Sequence, residues 1–308
     1  MGAVTDLAVA HDDLRPLMFS VAYRMLGSVS EAEDVVQEAF LRMHRASEAG
    51  TRADNPEAYA TTITTRLAID ALRSARHRRE QYVGPWLPEP LLATDDDPAH
   101  RVEETETLST AFLVVLETLS PVERAVFLLR EVFGYGYDEI ATIVERSEAN
   151  CRQLLARARK HIEQRRPRFE TSRERRDALA RTFLAAVQDG DVAALEHLLA
   201  EDVVFHGDGG GKTAAVRKPL IGALQVARFL ANLGRTGAQL GVVMEPVTVN
   251  GQPGARVSGP DGAVLGVLSV TIADGRVVGV HNQINPDKLH HLGEVGDLNA
   301  LVSGRGAS

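Results

Sequence analysis

At 308 residues, with 44% hydrophobic and 25% charged side chains, the chain is long enough for two or three domains that can each bury a core. A formal net charge of -8 argues against a protein that coats nucleic acid without selectivity, and a single cysteine excludes a disulfide framework. No apolar run is long enough to span a bilayer, and the amino terminus MGAVTDLAVAHDDLR lacks the basic region and long apolar core of a signal peptide, so a cytoplasmic chain without membrane contact is expected. The charge is unevenly placed: Arg73, Arg76, Arg78 and Arg79 crowd one stretch, and Arg146, Arg152, Arg157, Arg159, Lys160, Arg165, Arg166 and Arg168 crowd another. Two local DNA footprints on an acidic chain follow, with acidic surface left for protein partners or self-repression.

The first element is an amphipathic helix from about Asp12 to Leu26, closed by Gly27 as a C-cap residue. Ser30 with Glu33 reads as a capping box that starts a second helix. Its buried stripe is Ala32, Val35, Val36, Ala39, Phe40 and Met43, which leaves Asp34, Gln37, Glu38 and Leu41 facing outward. Asn55 and Pro56 form an N-cap and first-turn pair for PEAYATTITTRLAIDALRSARHRRE, where Tyr59, Ile63, Leu67 and Ala71 keep helical spacing. The threonines 61, 62, 64 and 65 are poor helix formers, so something beyond propensity favours them. GPWLPEP, residues 84–90, is stiff and extended, and Trp86 between prolines reads as an anchor that docks on a neighbour.

Residues 119–161 read as helix, short helix, tight turn and recognition helix. Val122, Val126, Leu129 and Val132 repeat at helical spacing in the first element, and Ile140, Ile143 and Val144 in the second. In the third, Cys151, Leu154, Leu155, Ala158 and Ile162 make one apolar stripe, with Ser147 as N-cap and Glu148 in the first turn. The opposite face carries Ala149, Arg152, Gln153, Ala156, Arg157 and Lys160. Small residues admit such a helix to the major groove, Arg and Gln pair with base edges, and outer cations reach phosphates.

After RRPRFE the pattern changes to two helices near residues 175–200, interrupted by Asp189, Gly190 and Asp191, then a strand ending in GDGGGK, and a helix near 220–233. Strand-like runs follow at 242–249, 263–273 and 277–284, divided by Asn250-Gly251, Asp261-Gly262 and Asp274-Gly275. Helices first and an antiparallel sheet after give an α+β domain. GDGGGK lacks the glycine spacing and the Lys-Ser/Thr ending of a phosphate loop and reads instead as a tight turn flanked by Asp208 and Lys212.

LSPVERAVFLLREVFG, YDEIATI and the SEANCRQLLARAR run together resemble region 4 of the extracytoplasmic-function sigma factors, and DVVQEAFLRMHR resembles their region 2. Glu145 departs from the family at a turn position where Gly is frequent, and Gly136 replaces a Ser-type cap. The resemblance implies that Asp34, Gln37, Glu38 and Leu41 bind the clamp helices of core RNA polymerase. It also implies that Arg152, Gln153, Arg157 and Lys160 contact the minus-35 element. Arg66, Arg73 and Arg76 would hold the separated strands at the minus-10 element; many family members carry Asn in place of Arg66, so the base-reading residue there stays open. WLPEP, GDGGGK and NPDKL resemble signatures of the subgroup that carries a SnoaL-like carboxy-terminal extension.

The expected fold is therefore multidomain: two all-α sigma domains followed by an α+β SnoaL-like cone. The expected boundaries are 7–83 for region 2, 84–104 for the Pro-rich acidic linker, 105–169 for region 4, 170–292 for the SnoaL-like domain and 293–308 for a tail. An intramolecular regulatory contact is expected near Trp86, Pro88, Asp208, Lys212, Asn285, Asp287 and Lys288. The alternative is an enzyme or small-ligand sensor in the last domain, with His206, Asp208 and His281 as general acid-base candidates. Catalysis and a cofactor are not expected, because each candidate reads equally as an ordinary surface or satisfied core residue, nor is a metal, since no His/Cys/carboxylate spacing stands out.

Overall fold

The computed structural model describes residues 2–50, 53–93, 106–163 and 172–303, which divide into two compact units. In the first unit α1 (Gly2–Leu26), α2 (Val29–Glu48) and α3 (Pro56–Glu80) pack on one another. Met18, Phe19, Tyr23 and Leu26 of α1 are buried, and the rings of Phe19 and Tyr23 stack with centroids 5.9 Å apart. Gly27 ends α1 in the left-handed region at φ 66°, as its reading as a C-cap requires.

The start of α2 differs from the expected one. Ser28, not Ser30, is the N-cap, and its hydroxyl accepts the Glu31 N–H at 3.2 Å. Both serines have Glu three residues on, but Glu33 is drawn to Arg15 at 2.8 Å, so it does not close a box at Ser30. Asn55 caps α3 as read from the sequence, accepting the Ala58 N–H at 3.1 Å. Thr61, Thr64 and Thr65 are buried, so packing rather than propensity favours these residues in a helix.

The same unit holds α5 (Pro121–Glu131), α6 (Tyr137–Val144) and α7 (Glu148–Glu163). A short α4 (Thr110–Leu116), which the sequence reading did not separate, precedes them. Ser120 and Glu123 cap α5 reciprocally, and Glu139 accepts the Gly136 N–H at 2.8 Å at the start of α6. The whole apolar stripe of α7 is buried. Glu145 sits in the left-handed region at φ 54°, a conformation that costs a residue with a Cβ about 1 kcal/mol and explains why Gly suits this turn.

The second unit contains residues 81–93 together with the carboxy-terminal domain. That domain runs α8 (Arg173–Asp189), α9 (Val192–Leu198), β1 (Leu199–Asp208), β2 (Leu220–Ile221), α10 (Ala223–Gln239), β3 (Val243–Val249), β4 (Gln252–Ser258), β5 (Val264–Ala273), β6 (Arg276–Gln283) and α11 (Leu298–Ser303). The sheet order is β2-β1-β6-β5-β4-β3. It is mixed rather than antiparallel throughout, because β1 runs parallel to its neighbour β6. Leu220 and Ile221 form a short strand instead of the first turn of a helix, and α10 starts at Ala223. Asn250-Gly251 and Asp274-Gly275 are tight turns with positive φ at both residues, as those dipeptides require.

Phe183, Leu184, Val187, Phe205, Val226, Leu230, Leu268 and Val280 form the core between helices and sheet. Phe205 pairs with Val280 across β1 and β6, so the next pair, His206 with His281, lies on the opposite face of the sheet.

Candidate functional site

On α7 the outward surface carries exposed Arg152, Gln153, Ala156, Arg157 and Lys160. At about 100° per residue, Gln153 and Lys160 lie opposite Cys151, whereas Arg152 and Arg157 occupy the two flanks. Among the described residues Gln153 and Lys160 make no hydrogen bond or ion pair. Arg157 reaches Glu123 at 3.3 Å; Arg152 donates to Glu148 at 2.7 Å and lies 4.7 Å from the centroid of the Tyr137 ring. Burial works to raise the Glu123 carboxyl, but the bonds from Ser120 and the nearby Arg157 outweigh it and hold the group below the usual carboxylate range.

On α2, Asp34, Gln37 and Leu41 are exposed and Glu38 is half-buried, pairing with Arg42 at 2.8 Å. Leu41 is 43% exposed, an isolated apolar side chain on an acidic and amide face. On α3, Arg73 pairs with Asp70 at 3.0 Å, and the side chain of Arg76 lies outside the described residues. Arg66 is engaged within the protein. Its guanidinium donates to the carbonyls of Ile143 at 3.0 Å and Thr142 at 2.8 Å, at the carboxyl end of α6, and approaches Glu145 at 3.2 Å. Nearby, the Tyr135 hydroxyl donates to Thr61 Oγ1 at 2.9 Å.

Of the residues expected to form an intramolecular contact, Trp86, Pro88, Asn285 and Lys288 gather around Asp208, which is completely buried at the end of β1. One carboxylate oxygen accepts from the Tyr82 hydroxyl at 2.5 Å and the Gly210 N–H at 3.0 Å. The other accepts from the Leu87 N–H at 2.8 Å, Gln283 Nε2 at 3.2 Å and the Lys288 ammonium at 2.7 Å. Lys288, 7% exposed, also donates to the Leu87 carbonyl at 2.6 Å and lies 4.2 Å from the centroid of the Trp86 ring and 4.8 Å from that of Tyr82. A cation between a carboxylate, a carbonyl and two aromatic rings is a satisfied buried charge. Burial, and then the adjacent Asp208 carboxylate, push the Tyr82 hydroxyl far above its usual range.

Gln283 donates to the Leu87 and Pro88 carbonyls at 3.3 Å, and Asn285 donates to the Tyr82 hydroxyl at 2.8 Å. The chain continues along the sheet edge, where the Leu91 carbonyl accepts the Asn250 N–H at 2.8 Å and the Ala93 N–H donates to the Thr248 carbonyl at 3.0 Å, and a His291 nitrogen lies 2.7 Å from the Pro90 carbonyl. Glycine is required at two positions of the GDGGGK turn. Gly210 and Gly211 have φ 58° and 73°, and an added Cβ would lie 2.3 Å from Asn285 Nδ2 or 3.1 Å from Val83 Cβ. Lys212 and Asp287 pair at 2.6 Å on the surface, where such a bond contributes about 0–1 kcal/mol. Sequence reasoning missed Tyr82, Gln283, Asn250 and His291: their partners lie far away in the chain, and no motif links them.

His206 and His281 stack at 5.4 Å between ring centroids, and among the described residues neither Nδ1 has a partner. Burial lowers both; His281 falls to about 3, with burial the larger cause and the His206 charge the smaller. The oxygens of Asp208 are already filled by donors, so these three candidates do not form a mutually hydrogen-bonded acid-base set.

A helix-turn-helix that shares one helical unit with α1 to α3, followed by an α+β domain that binds residues 82–93, defines the class as a helix-turn-helix protein with an appended α+β domain. Residues 11–78 match the model of sigma-70 region 2, residues 109–162 that of sigma-70 region 4 and residues 180–280 that of the SnoaL-like domain. The chain is 37% identical over 285 residues to the ECF RNA polymerase sigma factor SigJ of Mycobacterium tuberculosis, covering 89% of this chain and 90% of that one. It is 32% identical over 280 residues to the probable ECF sigma factor SigI of the same species, covering 90% and 93%. The crystal structure of SigJ superposes with a TM-score of 0.74 at 34% identity, over 90% of this chain and 96% of that chain. The chain belongs to the extracytoplasmic-function sigma factors of RNA polymerase and carries a SnoaL-like domain at its carboxyl side. Among the described residues, no helix is long and apolar enough to cross a membrane.

Proposed function

We propose that this sigma factor binds core RNA polymerase through Asp34, Gln37, Glu38 and Leu41, reads the minus-35 element with Arg152, Gln153 and Arg157 while Lys160 holds a phosphate there, and engages the minus-10 element through α3. Its SnoaL-like domain controls these steps in cis by holding the connector. The observation that carries this reading is the buried Asp208–Lys288 pair closed on Trp86 and Leu87. The minus-10 and minus-35 elements lie about 25 base pairs apart, roughly 85 Å of duplex at ~3.4 Å per pair. Extended chain spans about 3.3 Å per residue, so docking Tyr82 to Ala93 takes roughly 40 Å of connector length out of free motion between regions 2 and 4. Arg66, bonded to the helix-turn-helix, must let go for the same reason.

An intramolecular clamp needs little intrinsic affinity, because tethering raises the effective concentration toward millimolar. The filled coordination of Asp208 and the stacked neutral histidines favour regulation over acid-base chemistry in this domain. Run-off transcription with core polymerase tests the reading. A chain truncated after Phe169 should differ severalfold from the full chain at the same promoter; equal output would remove the regulatory role.

A further inference from the structure

Tyr137 opens α6, and its ring meets two guanidinium groups: Arg130 of α5 at 4.9 Å and Arg152 of α7 at 4.7 Å from the ring centroid. Each guanidinium is also anchored at its edge. Arg130 donates to the Tyr135 carbonyl at 2.7 Å, and Arg152 donates to Glu148 at 2.7 Å. A planar guanidinium stacks and donates in its plane at once, which an ammonium does not do. The ring therefore ties together the first helix of the motif, the entry to its second helix and one side chain on the recognition helix.

The place of Arg152 on α7 makes this tie matter. It lies on a flank, about 100° from Cys151, on the same side as Glu148 and Arg159, whereas Gln153 and Lys160 point straight outward. A flanking arginine with its full rotamer freedom is drawn to whichever phosphate lies nearest, and phosphate contacts carry no base information. Held against a ring, it presents its donors in a restricted direction and keeps selectivity for one base edge.

We propose that Tyr137 is a positioning residue for promoter selectivity: its ring, not its hydroxyl, orients Arg152 toward one base pair of the minus-35 element. This rests on the reading of Arg152 as a base contact. The test uses full-length protein with core polymerase and a promoter set in which each minus-35 base pair is changed singly, comparing Y137F, Y137L, R152A and the Y137L/R152A double variant. R152A should relax preference at one position by about fivefold to a hundredfold. Y137L should relax the same position by about two- to fivefold, the range of one partly exposed cation–aromatic contact. Y137F should keep the native preference, and Y137L should add nothing in the R152A background.

Equal losses from Y137L at every promoter, relaxation at a different position, or an undiminished effect in the R152A background would overturn the proposal. If R152A relaxed no position, the reading of Arg152 would fail and take the proposal with it; relaxation by R152A without any from Y137L would sink the proposal alone. Thermal unfolding of each variant separates loss of fold from loss of selectivity.

Discussion

Replacing Lys288 by Met keeps an apolar stem of similar length and removes the ammonium that closes the clamp. In the native protein that ammonium donates to Asp208 at 2.7 Å and to the Leu87 carbonyl at 2.6 Å, and faces the rings of Trp86 and Tyr82. Hydrogen bonds to charged groups contribute about 1.5–3 kcal/mol each and cation–aromatic contacts about 0.5–2, against several kcal/mol for desolvating the ammonium. The pair as a whole is therefore close to balanced, but removing the ammonium leaves the buried Asp208 without its cation. That costs about 3–5 kcal/mol, which shifts the docked-to-released ratio of the linker by roughly two to three and a half powers of ten. Trp86 is the sole tryptophan of the chain, so its emission reports on the clamp without a label. Lys288→Met should shift that emission to the red, raise its quenching by acrylamide and lower the urea midpoint of the second unit. Unchanged emission and midpoint would refute the reasoning that the ammonium holds the linker.

Ser120→Ala removes one half of the capping box of α5 and should cost about 1 kcal/mol in urea unfolding, a loss that Ser120→Asp partly restores. Gln153→Ala should relax preference at one minus-35 position by about 1–3 kcal/mol, whereas Lys160→Ala should weaken all promoters alike and flatten the salt dependence; binding titrations on single-base variants separate the two. His281 has a folded-state pKa depressed to about 3, so its contribution to stability is complete above the unfolded value near 6.5 and is lost as pH falls toward 3. The buried ring should contribute roughly 1.4 kcal/mol of destabilisation per pH unit below about 6, about 2 kcal/mol at pH 5, and His281→Leu should reduce that slope in urea midpoints measured from pH 7 to pH 5.

The helical half was legible because its stripes are local: the buried set of α7 and the Asn55 cap follow from spacing within one or two turns. The start of α2 was misread because Ser28 and Ser30 offer the same three-residue spacing to a Glu, and the choice is made by Arg15, which lies outside that window and takes Glu33. Strand β4 escaped notice because Pro253 and Gly254 break its pattern. The segment pairs with β3 and β5, and at Gly254 an added Cβ would lie 2.3 Å from the Leu268 carbonyl oxygen, a close approach only glycine permits. The parallel pairing of β1 with β6 joins ends of the domain that no local signal connects.

For the cluster around Asp208, motif resemblance points to Trp86, Asp208 and Lys288 but not to their arrangement. Asp208 looked available for proton transfer until its five donors, spread from Tyr82 to Lys288, were brought together by the fold.

The most direct measurement is run-off transcription by core polymerase with the full-length Lys288→Met chain beside the native chain, at one promoter and with Trp86 emission recorded on the same samples. The expected result is a red-shifted emission together with a severalfold change in transcript, in the same direction as truncation after Phe169. A released linker with native transcript levels would contradict control of the sigma regions by the SnoaL-like domain.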